Sequence, residues 1–82
     1  MTPREQAQAG LSTLKQAIES FIRLNPSGVT NTDIANALGL ESDFEGSQRN
    51  YLSWSVLGLL VSERRVRYIM RGRSRVYMMA QA

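Results

Sequence analysis

No cysteine and no histidine occur in this chain. Without cysteine there is no disulfide staple, no thiolate metal ligand and no thiol nucleophile, a pattern that suits a reducing cytosol. Without histidine, the side chain that most often ligates zinc or moves protons near neutral pH is missing too. Catalysis is left with Asp, Glu, Ser, Tyr and a single lysine, Lys15, and no glycine-rich phosphate loop is present. The chain therefore reads as a non-enzyme with no cofactor. Glu41, Asp43 and Glu45 stand close together, but an oxygen-ligand metal site needs six or more donors in a shaped cage, and a solvated loop accounts for them without a metal. Apolar runs fall far short of the roughly 18 residues of a membrane span, and residues 1–10 are polar where a signal segment has an apolar core. A soluble cytoplasmic protein is expected. No repeat or low-complexity block appears, so residues 1–82 are expected to form one domain, near the size at which burial only just outweighs chain entropy.

What is present is a polar distribution of charge. Residues 1–46 hold three cations (Arg4, Lys15, Arg23) against six anions, whereas residues 47–82 hold seven arginines against Glu63 alone. A basic half of this kind points a surface at something polyanionic.

The elements follow from local signals. Thr2, Pro3 and Glu5 make a capping box with proline at the first helical position. Leu11, Leu14, Ile18 and Phe21, flanked by Ala7, Ala17 and Ile22, then give a buried stripe over a helix of about 3–24, stopped by Asn25-Pro26-Ser27-Gly28. Val29 is a short strand. Thr30 and Asp33 repeat the capping logic for a second helix over 31–38, with Ile34, Ala35 and Leu38 inward, Gly39 as its left-handed end and Leu40 closing it. The acidic segment 41–46 reads as a loop that pins Phe44 inward. Ser47 then caps a third helix from Gln48 to about Glu63, whose Leu52, Val56, Leu57, Leu60 and Val61 are more apolar positions than one stripe needs. Residues 65–71 and 75–79 form a hairpin about Gly72-Arg73. With a two-residue turn, Tyr68 faces Tyr77 and Arg71 faces Ser74. Val66, Tyr68, Met70 and Tyr77 then point to the helices, and Arg65, Arg67, Arg71, Ile69 and Val76 point outward. A three-residue turn shifts that register.

Three strings carry a resemblance: Val29-Thr30-Asn31-Thr32-Asp33-Ile34-Ala35-Asn36-Ala37-Leu38-Gly39-Leu40, then Leu57 to Val66, then Gly72-Arg73-Ser74-Arg75-Val76-Tyr77. The chain resembles the winged helix-turn-helix family. The likeness implies an α+β fold of three helices and a C-terminal two-stranded β-hairpin wing, binding double-stranded DNA, with helix three in the major groove and the wing on the phosphates. Matched by position, the candidate contacts are Ser47, Gln48, Arg49 and Tyr51 at the start of helix three, Ser55 a turn later, and Arg67, Arg71, Arg73 and Arg75 on the wing. Gln48 or Arg49 would read a base edge by a bidentate fork, and the wing arginines would set affinity. A transcriptional regulator, as a homodimer on two half-sites, is the implied role. The stretch Glu41 to Leu60 is also similar to segments near some bacterial restriction endonucleases.

Two features set this chain apart from that family. The connection after Gly39 is long and acidic, and helix three is apolar nearly all round, which suits a protein partner. A protein-interaction module is accordingly the alternative function. Tyr51 and Trp54 are expected to pack in a core or interface rather than stack on bases. Arginines at 64, 65, 67, 71, 73 and 75 without an interleaved acid favour phosphate recognition over simple protection of a strand edge, for which lysine serves equally well.

Overall fold

Thr2 starts the first helix in the way its neighbours dictate. In the computed structural model, which describes residues 1–44 and 48–80, those at 43, 44, 48 and 49 through their backbone, helix α1 spans Pro3–Arg23. Thr2 Oγ1 accepts from the Glu5 amide (3.1 Å) and the Thr2 amide donates to Glu5 Oε1 (2.9 Å), so the capping box forms in full. Ile18 and Ile22 are buried and Leu11, Leu14 and Phe21 pack at the core's edge. Ala7 and Ala17, expected beside the stripe, are exposed: no element covers residues 3–10, and Ala17 lies about 100° round the helix from Ile18. Helix α2 spans Asn31–Leu38 with its Thr30–Asp33 capping box and Gly39 in the left-handed region.

The connection to helix α3, which spans Tyr51–Ser62, departs from the sequence reading. Strands β1 (Asp43–Phe44) and β2 (Gln48–Arg49) pair as a small antiparallel hairpin, so Gln48 and Arg49 are strand residues and helix three begins later than expected. Ser47, expected as the cap, and the inward packing of Phe44 lie outside the described residues. The cap position is Asn50, itself left-handed, and the capping oxygen comes from Ser42, whose Oγ accepts from the Leu52 amide (3.0 Å). The Asn50 amide bonds to the Ser42 carbonyl as well. Asn31 locks this joint to α2: its Nδ2 donates to the Asn50 carbonyl (3.1 Å) and its Oδ1 accepts from the buried Ser53 hydroxyl (2.6 Å). Ser53, Val56, Leu57 and Leu60 turn inward from α3.

Strands β3 (Val66–Arg71) and β4 (Ser74–Met79) form the wing, with Tyr68 opposite Tyr77 and Arg71 opposite Ser74, so the two-residue turn holds. Gly72 at φ +64° is its first turn residue. Val29 pairs with Tyr77 through two hydrogen bonds (3.0 and 2.7 Å) and adds a short third strand beside β4. Three helices followed by a two-stranded antiparallel hairpin make an α+β layout that matches the winged helix arrangement. Ile18, Ile22, Val29, Ile34, Val56, Leu57, Leu60, Val66 and Tyr77 share one core. Val76, expected on the outer face, is buried, because the Asn25–Gly28 turn folds over that side of the hairpin base. A Cβ on Gly28, at φ +104°, would collide with Val76 Cγ1, so only glycine fits there. Among the described residues, no helix is long and apolar enough to cross a membrane.

Candidate nucleic-acid interface

The wing separates its arginines by register. Arg67, Ile69 and Arg71 share one face with Ser74, Val76 and Met78; Val66, Tyr68 and Met70 share the other with Arg75, Tyr77 and Met79. Arg67 therefore lines a groove with Ile22, Arg23 and Pro26 at the end of α1, and Arg71 lines one with Gly28, Thr30 and Asp33 at the start of α2. Arg73 stands at the turn. Arg75 lies on the α3 side, its guanidinium 4.4 Å above the Tyr68 ring, and a hydrogen bond to the Tyr77 side chain, then the charges of Tyr68 and Tyr77, raise its pKa. The wing arginines therefore do not share one face. Strand alternation puts Arg67 and Arg71 opposite Arg75, and Gln48 and Arg49 sit in a second hairpin.

Arg65, grouped with the others by sequence, is a structural residue. Its Nε and Nη2 donate to Glu19 Oε1 and Oε2, both at 2.7 Å, and Arg23 adds a third bond at 3.3 Å. Glu19 is only 3% exposed. The hydrogen bonds from Arg65 hold its carboxyl below the usual range, burial works against them, and the charges of Arg65 and Arg23 assist. Lys15 pairs with Glu63 at 2.7 Å, giving a second tie between α1 and the root of the wing. Among the described residues, Arg64, Arg67, Arg71, Arg73 and Arg75 have no carboxylate partner, and all five are exposed.

Helix α3 contains no charged and no amide side chain along Tyr51–Ser62. Tyr51 is exposed at its first turn, its ring 6.2 Å from that of Trp54. Ser55 is half-buried, and its hydroxyl donates to the Tyr51 carbonyl (2.9 Å). Trp54 is 43% exposed, so of the two packings expected for Tyr51 and Trp54, in a core or at an interface, the core one does not occur. Leu52 and Leu59 are exposed to a similar degree on the opposite flank of the helix. Tyr68 is also partly open, 5.8 Å from the buried Tyr77. Trp54, Tyr68 and Arg75 meet in one groove between α3 and the wing, with Gly58, Val61 and Tyr77. Sequence reasoning missed this groove. Its signal was the i, i+4, i+7 line Trp54, Gly58, Val61, facing the hairpin face that carries Tyr68.

Among the described residues no cluster of three metal-ligating side chains exists. No family model, curated protein or solved structure matches the chain.

Proposed function

We propose that this chain is a non-catalytic nucleic-acid-binding protein of the winged helix kind that grips duplex DNA chiefly by its wing. The observation that carries this reading is the set Arg67, Arg71, Arg73 and Arg75: exposed, without carboxylate partners, and placed on both faces and the tip of one ribbon. A two-stranded ribbon lying in a DNA groove has phosphates on either side, so cations on both faces meet both backbones. Helix α3 has only hydroxyl and indole groups to offer base edges, so binding is driven by phosphate contact and is weakly selective among paired sequences. A regulator acting as a homodimer, with two wings on neighbouring half-sites, is the role this arrangement suits.

The test is binding of a random-sequence duplex at several salt concentrations. Each phosphate contact contributes about −0.9 to the slope of log affinity on log salt. Replacing Arg67, Arg71 and Arg73 together by alanine lowers the steepness by about 3 and weakens all sequences alike. A wild-type affinity independent of salt, or a triple variant that binds as tightly as the parent, overturns the proposal.

A second reading has its own observation. Leu52 and Leu59 are 44% and 42% exposed on an uncharged helix face, as a protein-binding module requires. Absence of duplex binding even at low salt favours this reading over the first.

A further inference from the structure

The groove between α3 and the wing is lined by aromatic rings and a guanidinium. Trp54, Gly58 and Val61 form its helix wall, Tyr68 and Tyr77 its sheet wall, and Arg75 lies across Tyr68 at 4.4 Å. Its volume is about 180 Å³. Beyond Arg75 a second groove of about 260 Å³ shares Trp54, Arg75 and Tyr77 and runs to Thr30, Asn31 and Thr32. Neither groove has a carboxylate in its lining. Gly58 sits mid-helix, where glycine is less stable than alanine, and beyond its chain neighbours and its own helix backbone no atom comes within 4 Å of where its Cβ would be. That leaves an open floor against the helix backbone.

We propose that this groove receives an unpaired nucleobase, stacked on Trp54 and on the Arg75 guanidinium, so that the protein prefers a duplex with an adjoining single strand to a blunt duplex. The inference rests on the nucleic-acid reading above and deepens it. Paired bases keep their π-faces inside the stack and show only edges in the grooves, which α3 has no forked side chain to read. An unpaired base offers both faces, and aromatic rings and guanidinium planes are the groups that stack on it. The charge fits as well. A basic peptide finds no acid here and an apolar one would strip water from Arg75, whereas a nucleotide brings a phosphate to the same arginine.

Trp54 is the only tryptophan in the chain, so its emission reports this site directly. The full chain is titrated with a single-stranded dT oligonucleotide, a blunt duplex, and that duplex carrying a single-stranded overhang. Tryptophan emission is followed in one series and anisotropy of a labelled probe in another. Stacking predicts strong quenching by the single strand and the overhang duplex and little by the blunt one, with the overhang duplex bound about ten-fold tighter than the blunt one. Trp54→Leu, and independently Gly58→Leu, which fills the floor while keeping the tryptophan, bring that preference close to one. Circular dichroism confirms that both variants are folded, and Gly58→Ala serves as the fold control with the smallest side chain. Equal quenching by blunt and overhang duplexes, or an overhang preference that survives Trp54→Leu, overturns the inference. Salt-steep, arginine-dependent duplex binding with a silent tryptophan overturns it alone, while failure of every probe to bind at low salt overturns the nucleic-acid reading with it.

Discussion

Replacing Glu19 by glutamine isolates the tie that holds the wing to α1. Glutamine keeps the volume and one acceptor oxygen but removes the second oxygen and the charge that strengthens the two 2.7 Å bonds from Arg65 and the 3.3 Å bond from Arg23. Hydrogen bonds to charged groups are worth about 1.5–3 kcal/mol each. The loss is smaller than their sum, because the arginine side chains are 55% and 56% exposed and water replaces the carboxylate around them. A net destabilisation of about 2 kcal/mol follows from these magnitudes. In a domain of this size each kcal/mol moves the melting temperature by roughly 4–8 °C, so a fall of about 8–16 °C is expected by circular dichroism. A shift under about 3 °C would show that the clamp is energetically idle and that α1 and the wing are held by their apolar contacts alone.

The same carboxylate predicts an acid limb. Its pKa is depressed in the folded state, first by the Arg65 hydrogen bonds, from an ordinary value of 4.5. Between the two values the unfolded chain binds more protons than the folded one, so stability rises with pH. The contribution of Glu19 is complete above pH 4.5 and is lost as pH falls through the folded value. Urea midpoints measured from pH 3 to pH 7 should therefore fall less steeply on the acid side for Glu19→Gln than for the parent. Some slope remains, because the capping hydrogen bonds at Thr2 also lower the pKa of Glu5.

Three other substitutions probe the joints of the fold. Gly28→Ala forces a left-handed backbone on alanine and drives its Cβ into Val76, and should cost about 2–4 kcal/mol in urea unfolding. Arg64 closes α3 at φ 62°, with the Arg64 and Arg65 amides bonded back to Val61 and Leu60, so Arg64→Gly should raise stability by about 1 kcal/mol in the same assay. Ser42→Ala deprives the Leu52 amide of its acceptor and should cost about 1 kcal/mol, with faster amide hydrogen exchange confined to the first turn of α3.

What the sequence disclosed, and what it hid, divides by the distance over which each interaction acts. The starts of α1 and α2 were legible because Thr2–Glu5 and Thr30–Asp33 are boxes closed within three residues. The wing's register was legible because Gly72-Arg73 fixes it locally. The start of α3 was not, since the capping oxygen is Ser42, ten residues upstream, and Ser47 offered a nearer decoy. Which wing residues are covered was half legible: alternation sorts the side chains into two faces, but only the Asn25–Gly28 turn folding back decides that Val76 is buried. Arg65 is indistinguishable from Arg67 by composition, yet it is committed to Glu19, 46 residues away.

These hidden features decide how the proposed nucleic-acid contact would be made. A winged helix that read sequence in the usual way would place forked polar side chains on the exposed face of its third helix, and here that face carries Tyr51, Leu52, Trp54, Gly58 and Leu59. Gln48 and Arg49, expected to fork onto a base edge, belong to a separate hairpin whose register pairs Arg49 with Asp43. On the proposed nucleic-acid reading, affinity would reside in the wing, where Arg67, Arg71 and Arg73 would address phosphates irrespective of sequence. Selectivity on that reading would come from the shape or pairing state of the nucleic acid, and the Trp54–Tyr68–Arg75 groove is where the fold brings together the groups proposed to sense pairing state.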